Sequence, residues 1–413
     1  MMHAAVGVWI LSAVICVGRG DHHFGHSQGD HDTALDGSAT SFSLVSSANK
    51  EFAFRLYSKL AAHADSVGKN IFFSPVSVSH ALAALSVGAR GETHRQLFSG
   101  LGFNNSLLTQ TDVDQAFHML FGASNNESQQ DSNQGSAVFM DQHFKVQFEF
   151  LETLKQSYSA DALVVDFTNA TDSANTINKY VAEKTNGKID KLVESLDPST
   201  VMYLLSYIYY KGKWATPFDA KRTKEDTFMV DDSTEVPVQM MNMEERLDTY
   251  YDQGINTSVL NLPFNSTYSM LLMLPDDMAT LENVICPGHV TKWLKWMKPR
   301  KYNIYLPKFS IKTSYRLNDV MTEMGMTDMF GDRADLSGIS EGQKLVVSDV
   351  VHQATLDVDE AGATAAAVTG IGITPLSFQR VPVLKFNHPF MVAIIERNTK
   401  NILFLGKIIN PNI

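Results

Sequence analysis

Ser, His and Asp are plentiful in the 413-residue chain, but the spacings that would make them a catalytic centre are missing. There is no G-x-S-x-G elbow to present a nucleophile, no G-x-x-x-x-G-K-[ST] loop to cradle phosphates, no H-E-x-x-H pair of zinc ligands and no C-x-x-C. Interest falls instead on a segment almost free of reactive groups. Residues 359–380 read DEAGATAAAVTGIGITPLSFQR: an acidic start, Gly362, a run of small residues, then an apolar stretch ending in Pro375, Leu376 and Ser377. Read as a strand, one face carries Ala363, Ala365, Ala367, Thr369, Ile371 and Ile373, and no charge opposes burial between Gly362 and Ser377. An ordinary strand with a turn at Pro375 fits this pattern. Gly370 and Gly372 weaken a permanent strand, however, and small side chains let a segment pass between neighbours. Such a segment can exist in two states.

The rest of the chain must hold that segment. Hydrophobic residues are 44% and charged residues 19%, with 24 Phe and 13 Tyr, so long disorder and fibrous architectures are excluded. The balance of 34 basic against 45 acidic residues, net −11, argues against a general nucleic-acid binder. Apolar spacing predicts helices over 46–62, 148–157, 173–185, 290–297 and 316–324, and another beginning after residues 70–75. Strands are predicted over 137–140, 202–210, 269–274, 302–311, 381–386, 391–396 and 402–409. They show no regular βαβ alternation and no repeat period, which is an α+β layout. No long Pro/Gly/Ser linker divides residues 45–413, so one interleaved domain is expected.

Residues 4–17 form an apolar run too short to span a bilayer and followed at once by small and polar residues, so 1–20 reads as a secretory signal peptide. No second run approaches the length of a membrane span, and a secreted, extracellular product without a membrane partner is expected. Residues 21–44, with His22, His23, His26 and His31, read as a flexible solvated tail to which no metal or cofactor is assigned. Removal of Cys16 with the signal leaves Cys286 as a lone thiol. Sequons at Asn104, Asn126, Asn169, Asn256 and Asn265 are expected glycosylation sites.

Four stretches in order, NIFFSPVS at 70–77, YYKGKW at 209–214, FNHPF at 386–390 and FLGKIINP at 404–411, together with the small-residue segment, resemble the serpins. The likeness covers about residues 45–413 and is strongest to the plasma subgroup of alpha-1-antitrypsin and antichymotrypsin. It implies a single α+β serpin domain with three β-sheets, surrounding helices and an exposed reactive-centre loop. It also implies a monomeric suicide inhibitor of serine proteases rather than an enzyme. By this similarity the loop hinge comprises Glu360, Gly362, Ala363, Ala365, Ala366 and Ala367. The reactive bond is Leu376–Ser377, fourteen residues on from Gly362, the spacing that inhibitory members share. Ala363 stands where Thr or Ser is commoner, and Val368 ends the small run early.

The resemblance further places Ser74, Ser77 and His352 in the shutter beneath the parting strands, with Ser206 where the family usually has Asn. Lys308 and Glu360 match a buried ion pair in the breach at the top of the sheet, beside Trp214. Lys292, Lys295, Lys298, Arg300 and Lys301 crowd one short stretch that serves heparin binding in some relatives, although a merely solvated basic face fits the residues better. A rival reading is a hormone carrier of the corticosteroid- or thyroxine-binding globulin type, since the same scaffold serves both.

Overall fold

The computed structural model describes residues 33–127, 132–342, 344–361 and 381–413. Its centre is set by β4 (Met202–Tyr210), in which every residue is buried. A near-continuous run of Met, Leu, Ile and Tyr is what a strand covered on both faces requires. β4 is the third of five strands in the order β10 (Phe309–Arg316), β11 (Asp349–Val358), β4, β2 (Ser132–Asp141) and β3 (Asp161–Val165). β11 runs parallel to β4 and is directly bonded to it, while β10–β11 and β4–β2 are antiparallel.

Strand alternation decides what lies on each face of this sheet. Tyr203, Leu205, Tyr207 and Val351 join Ala174, Ile177 and Val181 of α6 (Ala170–Lys184), whose apolar positions recur three and four apart. Met202, Leu204 and Val350 turn the other way, into the core that includes α2 (Pro75–Gly88). Almost all of α2 is buried, with Ser77, Ser79, His80 and Ser86 among its otherwise apolar residues. Its start is fixed by Ser74, the N-cap, which accepts from the Ser77 amide, and by Pro75 in the first turn.

The second hydrogen-bonded unit runs β1 (Ile71–Phe73), β14 (Ile402–Ile408), β13 (Phe390–Glu396), β8 (Tyr268–Pro275), β7 (Thr257–Pro263), β6 (Glu235–Asp252), β9 (Lys298–Pro307) and β12 (Val383–Lys385), with β5 (Lys224–Met229) also on β6. The expected second and third sheets are therefore continuous. β6 is 18 residues long and pairs with β5 at one end, β9 along its middle and β7 at the other end. The other helices are α1 (Thr33–Ala62), α3 (Gly91–Leu101), α4 (Gln110–Glu127), α5 (Phe148–Tyr158), α7 (Met278–Val284), α8 (Pro287–Trp296) and α9 (Asn318–Glu323).

Two expectations change. The single strand expected over 302–311 is two, β9 and β10, broken at Lys308 where the chain passes from one sheet to the other. Part of the expected flexible tail is helix: α1 starts at Thr33, Phe42 and Leu44 pack against the core, and Ser41 Oγ donates to Asp112 Oδ1 at 3.1 Å. Apolar contact, which the polar composition of residues 21–44 concealed, orders that stretch. Cys286 is buried at the start of α8 with its Sγ 3.3 Å from His289 Nδ1, and the expectation of a lone thiol concerns a chain without residues 1–20. The chain's other cysteine, Cys16, lies outside the described residues.

Candidate functional site

The parallel register of β11 on β4 sets His352 directly opposite Ser206, on the face turned toward α2. His352 is fully buried, and its Nε2 accepts the Ser74 backbone N–H at 2.9 Å. An accepting Nε2 in a neutral ring puts the proton on Nδ1, which donates to Ser206 Oγ at 2.7 Å. Burial holds the imidazole neutral by lowering its pKa from 6.5 to about 3. Ser74 Oγ in turn donates to Ser77 Oγ at 2.9 Å. One neutral ring thus ties β11, β4 and the N-terminus of α2 together, with all four side chains buried. The departure at Ser206 leaves a direct bond in place, because the short hydroxyl sits across the ladder from the ring.

At the far end of β11 the chain is held by Trp214, which stacks on Phe264 with centroids 4.5 Å apart. Trp214 Nε1 donates to the Asp359 carbonyl at 2.7 Å, and its backbone N–H to the Ala361 carbonyl at 3.0 Å. Lys308 Nζ and Glu360 Oε2 are 2.9 Å apart, but Lys308 is 47% exposed, so the expected buried pair is a rim contact. Burial pushes the Glu360 carboxyl up, and the bonds from Lys308 and from Thr223, whose Oγ1 lies 2.8 Å from Oε1, outweigh it and hold the pKa below the usual range. Lys211 does the same for Asp359, at 2.7 Å. Lys211, Thr223 and Asp359 escaped the sequence reading. Lys211 sits inside the 209–214 stretch and Asp359 beside Glu360, whereas nothing in the sequence marks Thr223.

The remaining sequence-derived positions scatter. Gly362, Ala363, Ala365, Ala366, Ala367, Leu376 and Ser377 lie outside the described residues. Asn104, Asn169, Asn256 and Asn265 are exposed, and the side chain of Asn126 lies outside the description. The basic stretch is not one uniform face. Lys292 is tied to buried Asp252 at 3.0 Å and Lys301 to Glu244 at 2.6 Å, while Lys298 and Arg300 are exposed at the start of β9. Among the described residues no group of three or more His, Cys, Asp or Glu is placed to hold a metal ion. No helix among them is long and apolar enough to cross a membrane.

The family model for serpins, described as serine protease inhibitors, matches residues 47–411. The chain is a serpin. This serpin is 41% identical over 372 residues to bovine (Bos taurus) Serpin A3-5, covering 89% of each chain. It is 38% identical over 408 residues to the hibernation-specific plasma protein HP-55 of Tamias sibiricus, covering 98% of each. The crystal structure of human thyroxine-binding globulin superposes with a TM-score of 0.84 at 33% identity, covering 90% of this chain and all (100%) of that one. These relatives support the alpha-1-antitrypsin and antichymotrypsin-like subgroup expected from the sequence, and the serpin fold.

Proposed function

We propose that this serpin is a secreted, monomeric suicide inhibitor of serine proteases, with Leu376–Ser377 as the reactive bond and no catalytic activity of its own. The observation that carries this reading is the parallel β11–β4 ladder, in which Asp349–Leu356 pair with Tyr203–Tyr210 and no strand lies between. β11 leads to Ala361, anchored on Trp214, and the chain re-enters the description at Val381 beside β12 in the other unit. Residues 362–380 connect the two. A protease that attacks Leu376 forms an acyl-enzyme on its carbonyl carbon and releases the new amino terminus at Ser377. The freed segment from Ala363 then turns back between β11 and β4, antiparallel to both, so that one parallel ladder becomes two antiparallel ones.

Parallel pairing is the weaker kind. A new strand of about a dozen residues, at about 0.5 to 1.5 kcal/mol net per hydrogen bond, supplies on the order of ten kcal/mol. That free energy drags the tethered protease and distorts its site before deacylation. Leu376 suits a hydrophobic primary pocket, so chymotrypsin-like or elastase-like enzymes are favoured and trypsin and thrombin are not. Any heparin or related glycosaminoglycan contact would fall to Lys295, Lys298 and Arg300, because Lys292 and Lys301 are engaged in ion pairs.

The test is to mix the secreted protein with chymotrypsin, expecting a covalent, SDS-resistant complex and a cut after Leu376. The second reading, a hormone carrier, is favoured by the close likeness to thyroxine-binding globulin. Absence of both complex and cut, together with saturable thyroxine or steroid binding, would establish it instead.

A further inference from the structure

Between the end of α8, the β6–β7 hairpin and the start of β9 lies an open cleft of about 650 Å³. That is within the size range of small-molecule sites, about 300 to 1,000 Å³. Its lining combines two features that the sequence kept apart. Tyr251, Trp296 and Tyr302 supply aromatic surface, and Lys298 and Arg300 supply charge. Alternation along β9 brings Lys298, Arg300 and Tyr302 to one side of the strand, while Lys301, on the other, is spent on Glu244. Among the described residues that line the cleft there is no Asp or Glu.

The third cation there, Lys292, is neutralised from below. Its Nζ is 3.0 Å from Asp252 Oδ2, which also accepts Trp293 Nε1 at 2.7 Å, and it stands 5.8 Å from the centroid of Tyr250. Lys292 therefore braces the wall, and Lys298 and Arg300 carry no ion pair among the described residues. The aromatic rings are open to solvent, although the Tyr251 hydroxyl donates to Asn256 Oδ1 at 3.3 Å. Among the described residues three large aromatic side chains are exposed, Phe148, Tyr251 and Trp296, and two of these line this cleft, at 51% and 57% exposure. Lys295 Nζ, 5.7 Å from the Trp296 centroid, supports that ring from outside the cleft.

We propose that this cleft binds a compact organic anion with an aromatic body, an aryl sulfate or aryl carboxylate. Its ring packs on Trp296 and Tyr251, and its anionic end meets Lys298 and Arg300. A fork of guanidinium donors matches a sulfate or carboxylate edge, and the exposed rings offer a flat apolar partner that a saccharide chain does not need. The proposal is independent of protease inhibition and differs from a heparin face in requiring the aromatic wall as well as the cations.

The experiment is calorimetric titration of the full-length protein with 2-naphthyl sulfate at about 0.15 M salt, where long-range charge effects are screened. Saturable one-to-one binding is expected, weakened about tenfold or more by Trp296→Ala and likewise by Lys298→Ala/Arg300→Ala, and left unchanged by Lys179→Ala on α6. Neutral 2-naphthol should bind the unaltered protein at least about tenfold more weakly, a comparison that depends on no variant folding. Absence of saturable binding overturns the proposal. So does binding that survives Trp296→Ala while Lys298→Ala/Arg300→Ala abolishes it, the behaviour of a charged face open to any polyanion.

Discussion

Acid should loosen this serpin at the place where β11 meets β4. His352 is fully buried, donates to Ser206 and accepts from the Ser74 amide, and its pKa is lowered to about 3 by burial. In the unfolded chain the same imidazole titrates near its ordinary 6.5. Between those values the unfolded state binds one proton more than the native state, so native stability is full above about pH 6.5 and falls as the pH drops toward 3. At about 1.4 kcal/mol per pH unit, His352 alone removes about 2 kcal/mol on going from about pH 7.5 to pH 5. His80 on α2, also fully buried with its pKa lowered to about 3 and with Nδ1 2.9 Å from Ser136 Oγ, adds a loss of the same size and sign. The measurement is the urea midpoint of the first native-state transition at the two pH values, in the parent and in His352→Asn. The variant should lose about 2 kcal/mol less than the parent on acidification, although it starts less stable. An equal acid loss in both would show that His352 titrates freely, and the argument from its burial would fail.

Four further outcomes follow from the site. Ala365→Asp or Gly362→Pro should convert the inhibitor into a cleaved substrate, because a charge cannot enter the sheet and a proline removes a ladder donor; a normal SDS-resistant complex with either variant counts against the hinge assignment. Leu376→Arg should shift complex formation from chymotrypsin toward trypsin, read as relative second-order rate constants, and unchanged preference would place the reactive bond elsewhere. Cutting the loop should raise the thermal midpoint sharply, and a cleaved form that melts with the intact one would refute insertion between β11 and β4. Trp214→Phe removes the donor to the Asp359 carbonyl and should cost about 1 to 3 kcal/mol, against which a loss below half a kcal/mol in urea denaturation would be decisive.

Much of the fold was legible where one face or both faces of an element are uniformly covered. The span of β4 coincides with the apolar run expected over 202–210, and α5 begins at Phe148 as its spacing predicts. β11 was missed although it carries His352. Its sequence, DVVHQATLDV, mixes His, Gln and Thr into a strand that is nonetheless almost wholly buried. His352 is satisfied there by Ser74 and Ser206 from distant parts of the chain, whereas the side-chain amide of Gln353 and Thr355 Oγ1 are buried without a hydrogen-bond partner among the described residues. β6 was missed for another reason: one strand serving three partners meets several environments along its length, so no single period runs through it.

By itself the sequence determined which residues are able to be buried, where the small-residue segment lies, and, through the resemblance carried by residues 70–77, 209–214, 386–390 and 404–411, the family. Those are properties of composition, local spacing and order along the chain. Only the tertiary structure decided that His352 faces Ser206, that Lys308 pairs at the rim rather than in the interior, and that the basic stretch divides into braced and open cations. Each of these depends on strand register or on the end of a helix reaching a particular strand. Register is set by the packing of whole sheets, and a shift of one residue would turn every side chain to the opposite face.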